Sequence, residues 1–318
     1  MTGDALLGSA HGFPQLPTYT LRQLHTFLAI AEYGTLSGAA DSLRLSPAAV
    51  ALSLDNLERA LGVTLCVRRK ARGITLTAAG RELTQPAREL LNRAGDLRDA
   101  VGGSAGGLSG ALAVGCYVTL APTLMPTLLE RFGAEHPAVR TDFVEGTQLE
   151  LEAALIAGSL DVAVLFDMDL GDSIATAELF RLRPHVVVNA DNPLAAHKTV
   201  RLRELADLPF VLLDVPPSSA NAIHILRDAG IDPQVRYRTT SLETARSLIG
   251  RGMAWSILLQ RPPSNVTYEG GQVHALEIAD PVDDVRVLMG WSRTAHLSRA
   301  AQEMVQISAA LLREHQQS

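Results

Sequence analysis

The sequence predicts an α/β protein built from an N-terminal winged helix-turn-helix, a long linker helix and a two-lobed α/β body. Three observations predict it. Between Thr20 and Gly80, three helical stripes and a basic hairpin follow one another in the order a winged helix requires. Between Thr77 and Val101, apolar residues recur at alternating spacings of four and three. After Gly110, short apolar runs alternate with helical patterns, as expected of strands covered by helices.

The first helix carries Leu21, Leu24, Phe27, Leu28 and Ala31 on one stripe, with Thr20 in front as its N-cap. Gly34 ends it and Thr35 caps the next, in which the small Ala39 and Ala40 permit close helix packing. Ser46 and Pro47 start a third helix as cap and first residue. Its apolar face is Val50, Leu54, Leu57 and Leu61, and Gly62 closes it. This third helix is the one expected in the major groove. The residues assigned to DNA on the two helices are Thr35, Ser37, Ser46, Pro47, Ala48, Leu52, Ser53 and Asn56.

Two apolar runs then flank Arg68, Arg69, Lys70, Arg72 and Gly73, which predicts a hairpin with a cationic tip. Such a wing neutralises phosphates, giving affinity and orientation but little base discrimination. A solvated turn is the alternative; the position directly after a helix-turn-helix favours the wing. The net charge of −6 argues against nucleic acid until its distribution is read. Residues 18–100 hold 11 Lys and Arg against 8 Asp and Glu, an excess of +3, and the acidic remainder need not touch DNA.

The fragments Gly34-Thr35, Ala39-Ala40, Ser46-Pro47, Leu57-Glu58, Leu61-Gly62, Leu65-x-x-Arg68 and Leu76-Thr77-x-x-Gly80 stand in one register. Together they resemble the N-terminal domain of LysR-type transcriptional regulators. There are departures. Ala51 and Leu52 stand where that family usually has polar residues, leaving Ser53 and Asn56 as polar readers. Leu52 can touch a thymine methyl, and DNA shape and deformability then contribute more to recognition. Cys66 replaces the family's Phe and is read as a small buried hydrophobe before a redox switch.

In the linker, Leu83, Ala87, Leu90, Ala94, Leu97 and Val101 form the a/d seam of a short coiled coil, interrupted by Pro86. The seam either packs on its own domain or joins two chains. The second is preferred, because helix-turn-helix proteins generally read near-palindromic sites as dimers, and the resemblance implies a dimerisation helix here. The glycine-rich stretch 102–110 follows as a hinge.

The remaining chain reads as a mostly parallel sheet covered by helices, and the resemblance implies that residues 110–183 with about 284–318 form one lobe and about 184–283 the other. The resemblance implies an effector domain shaped like a type II periplasmic binding protein, with ligand between the lobes. Ligands bind such sheets beyond the carboxyl ends of the strands, near helix N-termini. That rule selects Tyr117, Thr119, Thr147, Gln148 and Phe166 from the first lobe, and Pro217, Ser218, Ser219 and Ser241 from the second. Thr119 and Thr147 also fall where the resemblance implies cleft hydroxyls. Each hydroxyl can equally be a simple helix cap. Helix N-termini and hydroxyls favour a small carboxylate, with an aromatic or neutral ligand left open.

The chain is expected to be a cytoplasmic homodimer or homotetramer, with no catalytic residues, metal or cofactor. Its partners would be double-stranded DNA, a small-molecule effector and, for an activator, RNA polymerase. No apolar run approaches the ~20 residues that span a bilayer, and residues 1–19 read as a flexible lead-in without a basic n-region. Two cysteines, Cys66 and Cys116, fall in different domains and do not suggest a disulfide. His185 reads as a structural neighbour rather than a base. Two alternatives stand: a solute-binding or enzymatic two-lobed protein with a degenerate DNA-binding domain, and a dimer that binds DNA weakly.

Overall fold

The computed structural model describes residues 16–69, 73–101 and 108–315. The lead-in to residue 15, the wing residues Lys70 and Arg72, and most of the hinge (102–107) lie outside the described residues. The chain divides into two compact units, one ending at Leu91 and one beginning at Asn92.

The first unit contains α1 (Leu21–Tyr33), α2 (Leu36–Leu43), α3 (Pro47–Leu61), the hairpin β1 (Cys66–Arg69) and β2 (Gly73–Leu76), and the start of α4 (Ala78–Val101). The helix starts are set by side-chain chemistry. Thr20 and Gln23 form a reciprocal capping box, Thr35 Oγ1 accepts from the Gly38 N–H, and Ser46 Oγ accepts from the Ala49 N–H. Phe27, Ile30, Ala39, Ala40, Val50 and Leu57 are fully buried where the three helices meet. Ala39 and Ala40 let α2 approach that closely, as expected. Leu21 departs from the expected stripe and is exposed at the helix start.

The hairpin is fastened to this core at three points. Glu58 Oε1 accepts from the Leu65 and Cys66 N–H groups at 2.7 and 3.0 Å, so α3 aims the strand that follows it. The Ile74 N–H donates to the Gly34 carbonyl at 2.7 Å. A Cβ on Gly73, whose φ is +75°, would lie 2.5 Å from that same carbonyl, so the wing needs glycine there. Thr77 Oγ1 caps α4 at Gly80, and a Cβ on Gly80 would sit 2.2 Å from the Leu65 carbonyl oxygen.

The linker corrects an expectation. α4 runs unbroken through Pro86, but Ala87 is buried in the core of its own domain, with Leu83 and Leu91 packed against that core. Ala87 and Leu83 are therefore engaged within the chain. Leu90 and Leu97 remain exposed and Ala94 half-buried; the side chain of Val101 lies outside the described set.

The second unit holds two sheets. The first has the order β4 (Val139–Gly146), β3 (Gly110–Tyr117), β5 (Val162–Phe166), β13 (Val285–Ser292) and β6 (Ile174–Leu182). It is covered by α5 (Ala121–Glu135), α6 (Gln148–Ile156) and α9 (Arg299–His315). The second has the order β11 (Ser256–Leu258), β7 (His185–Asn189), β12 (Val273–Ile278) and β8 (Thr199–Val200). The parallel pair β9 (Phe210–Leu213) and β10 (Val235–Thr239) adjoins it through a Phe210–Trp255 bridge. Two helices, α7 (Ser218–Asp228) and α8 (Leu242–Gly250), pack on these strands. The chain passes between the sheets twice, after β6 and before β13.

Both sheets are mixed rather than mostly parallel. β3 is parallel to β4 and β5, whereas β13 is antiparallel to both β5 and β6. The returning strand comes from the other lobe without a covering crossover helix, so it is free to run the opposite way. β6 and β12 escape the apolar-run pattern. β6 buries only Ile174 and Leu179 of its nine residues, and β12 buries Val273, Leu276 and Ile278 out of strict alternation.

Candidate effector cleft and DNA-reading face

The DNA-reading face is built by the caps that start α2 and α3. Thr35, Ser37, Ser46, Pro47, Ala48 and Leu52 are exposed, and Ser53 and Asn56 are half-buried. Leu52 keeps 59% of its surface in solvent. Asn56 is partly committed, since its Oδ1 accepts from Arg59 Nη1 at 2.7 Å. A bidentate grip on adenine needs both ends of the amide, and Arg59 occupies one of the two lone pairs of Asn56 Oδ1. Arg59 escaped the sequence reading; its place one turn beyond Asn56 was the available signal. Arg68 and Arg69 have their backbone in β1, and their side chains, like Lys70 and Arg72, are outside the described set.

In the second unit, strand ends and helix starts bring Tyr117, Thr119, Phe166 and Ser218 together. Tyr117 follows β3 into the core, fully buried, with its ring edge-on to Phe166 at 5.0 Å. Its hydroxyl lies 2.8 Å from the Val215 carbonyl and 3.2 Å from Ser218 Oγ, both in the other lobe. One phenol carries one proton, so Tyr117 donates to Val215 and the Ser218 hydroxyl donates to Tyr117. Burial pushes the Tyr117 pKa up, against the lowering effect of the Ser218 hydrogen bonds, which keeps that donor protonated. Beside it Gln260 Nε2 donates to Thr119 Oγ1 at 2.5 Å, with both residues buried. Two hydrogen-bonded contacts thus hold the lobes together at the residues expected to meet ligand.

Other expected cleft residues have different employment. Gln148 is buried and clips the end of β5: its Oε1 accepts from the Phe166 N–H, and its Nε2 donates to the Met168 carbonyl. Thr147 forms a capping box with Glu150, and Ser241 caps α8 through the Thr244 N–H. These are the helix-cap alternatives, realised because each residue directly precedes a helix. Ser219 is buried in the first turn of α7, and Pro217 follows Pro216 through a cis peptide bond. The space lined by Leu213, Ser218, Asn221 and Gln260 is about 10 Å³, room for one water at most. Gln260 escaped the sequence reading, although the strand-end rule applied to β11 would have reached it.

The cysteines are not poised for redox chemistry. Cys116 is fully buried, and burial first, then Glu145, pushes its thiol well up. Cys66 is buried beside Glu58, and burial and that carboxylate raise its pKa to about 11. A reactive thiol needs the opposite environment. Among the described residues, no group of three His, Cys, Asp or Glu side chains could hold a metal ion, and no helix is long and apolar enough to cross a membrane.

Comparison with known proteins agrees with both units. Residues 21–81 match the family model for the bacterial regulatory helix-turn-helix protein of the lysR family, and residues 105–313 match the LysR substrate binding domain. The C-terminal domain of a probable LysR family transcriptional regulator from Rhodococcus sp. RHA1 is 44% identical, with TM-score 0.62, over 63% of this chain and 98% of that one. HinK, a LysR family transcriptional regulator from Pseudomonas aeruginosa, is 30% identical over 92% of this chain and 98% of its own, with TM-score 0.63. The DNA-binding transcriptional dual regulator OxyR of Escherichia coli (strain K12) is 28% identical over 76% of this chain and 80% of its own. A matching reading head, a matching two-lobed domain and relatives that span both place this chain in the LysR family of DNA-binding transcriptional regulators.

Proposed function

We propose that this regulator binds a near-palindromic promoter site as a homodimer or homotetramer, and that a small molecule entering between the lobes resets it. The observation that carries the proposal is the pair of cross-lobe contacts, Tyr117 to Val215 and Ser218, and Gln260 to Thr119. A ligand that takes over these donors and acceptors opens the lobes while leaving few polar groups unpaired. It then favours a different quaternary arrangement and a different bend of the bound DNA. The chemistry at hand, hydroxyls and an amide among aromatic rings, suits a small carboxylate or aromatic acid. No observation favours an enzyme or a solute carrier, and the protein acts without catalysis. Contact with RNA polymerase belongs to the activator form of the same proposal.

The test begins with a thermal-shift screen of small carboxylates, aromatics and amino acids. A saturable rise in melting temperature identifies the effector class, because a compound that binds only the native state stabilises it. Thr119→Val should lose that response, and the ligand should alter the footprint on the promoter. A ligand that leaves footprint and bend unchanged sinks the mechanism. On the DNA side, replacing Arg68 and Arg69 with Ala should weaken binding evenly across sequences. It should also reduce the salt slope by about one for each phosphate left unneutralised.

A further inference from the structure

Beneath α8 in the second lobe lies a concavity of about 310 Å³, at the lower end of the range for small-molecule sites. It is distinct from the space at Ser218, although Leu258 and Gln260 border both. Its polar lining includes two guanidiniums, Arg246 and Arg261, and no carboxylate. Glu243 and Glu277, which pair with these arginines, are not part of the lining. Arg246 is buried and has committed one donor to Glu243 and one to the Ser264 carbonyl, of the five a guanidinium carries.

The decisive residue is His185, which opens β7. It is 1% exposed, lines the concavity, and its Nδ1 has no hydrogen-bond partner. Burial first, and then the charge of Arg261, lowers the His185 pKa to about 4 and keeps the ring neutral. A neutral imidazole has one N–H and one lone pair, and a hydroxyl, both donor and acceptor, serves Nδ1 in either tautomer. A buried polar nitrogen left without a partner costs free energy that a partner would restore.

We propose that this concavity binds a small organic acid that also carries a hydroxyl. The carboxylate meets Arg246 and Arg261, the hydroxyl meets His185 Nδ1, and the body rests on Val187, Leu258 and Val273. The site extends the ligand-responsive function to a second place in the domain. Its occupant would touch Gln260, whose amide holds Thr119 across the lobes, so it bears on the interlobe contact from the opposite side.

Calorimetric titration of the full chain with lactate, propionate, mandelate and phenylacetate tests this. Mandelate or lactate should bind saturably, and the partner lacking the hydroxyl should bind roughly tenfold more weakly, the usual worth of one buried hydrogen bond. Arg261→Gln changes a half-exposed side chain and should weaken the acids by roughly tenfold or more. Since His185 variants risk misfolding, His185 is followed in the unaltered protein by its Nδ1 nitrogen resonance, which should move on adding mandelate. Absence of binding by all four acids overturns the proposal. So does equal binding with and without the hydroxyl, or a static His185 resonance. Binding that survives Arg261→Gln but vanishes in Thr119→Val places the acid between the lobes, which overturns this site and supports the other.

Discussion

Leu52 is the side chain that most separates this reading head from a polar one. It is exposed on α3, where its neighbours Ala48 and Ala51 offer a base edge no hydrogen bond. At this position an apolar contact to a thymine methyl is the direct readout left, beside the polar Ser53 and Asn56. Replacing operator thymines with deoxyuridine should therefore cost the protein about 1 kcal/mol at the contacted position, the value of one buried methyl group. Leu52→Ser should be indifferent to that change; equal sensitivity in both proteins would remove Leu52 from the base contacts. The thiols give a second prediction. With both cysteines buried and their pKa values raised, Ellman's reagent at pH 8 should modify neither until the chain unfolds. His185 gives a third. Its native pKa of about 4 lies below the ordinary 6.5, so between those values the unfolded chain binds the extra proton. Its contribution is intact above pH 6.5 and is lost as pH falls towards 4, by roughly 3 kcal/mol at most. Urea melts across that window should show the loss, and a His185→Leu variant that folds should show a shallower pH dependence.

The elements owe their position to a few side-chain ties that the motif residues supply. Glu58 is half of a Leu-Glu pair that matched the family pattern, and the structure gives its reason. One carboxylate oxygen receives two backbone N–H groups from the start of the wing. Glu58→Ala should destabilise the reading head by roughly 2 kcal/mol or more, because two donors lose a charged acceptor. Chemical denaturation of the full chain, with Glu58→Gln as the milder comparison, checks this. Helix starts were legible in the sequence because a cap needs only one hydroxyl at the right offset. β6 and β12 were not, because an edge or a partly covered strand buries too few residues to leave a period-two record.

We propose that assembly uses the part of α4 that its own domain leaves uncovered. The heptad pattern is continuous in the sequence, yet Leu83 and Ala87 are taken up by the winged-helix core while Leu90 and Leu97 stay exposed. We therefore expect Leu97→Asp to shift the protein from dimer to monomer in analytical ultracentrifugation without lowering its urea midpoint as monomer. Ala87→Asp should instead unfold the reading head, since it buries an unpaired charge. If Leu97→Asp stays dimeric, the seam lies elsewhere.

Residue type and spacing alone identified the winged helix, its caps and the alternating strands and helices of the body, because each depends on local geometry. Which hydroxyls are tied across the lobes was settled by long-range packing. Tyr117 and Thr119 find partners in the other lobe, roughly a hundred residues away or more in sequence, whereas Thr147 and Ser241 are used up by the helices they start. A cap is a choice among near neighbours and is written in the chain. A contact across a cleft depends on how two sheets are brought together, and no local pattern records it.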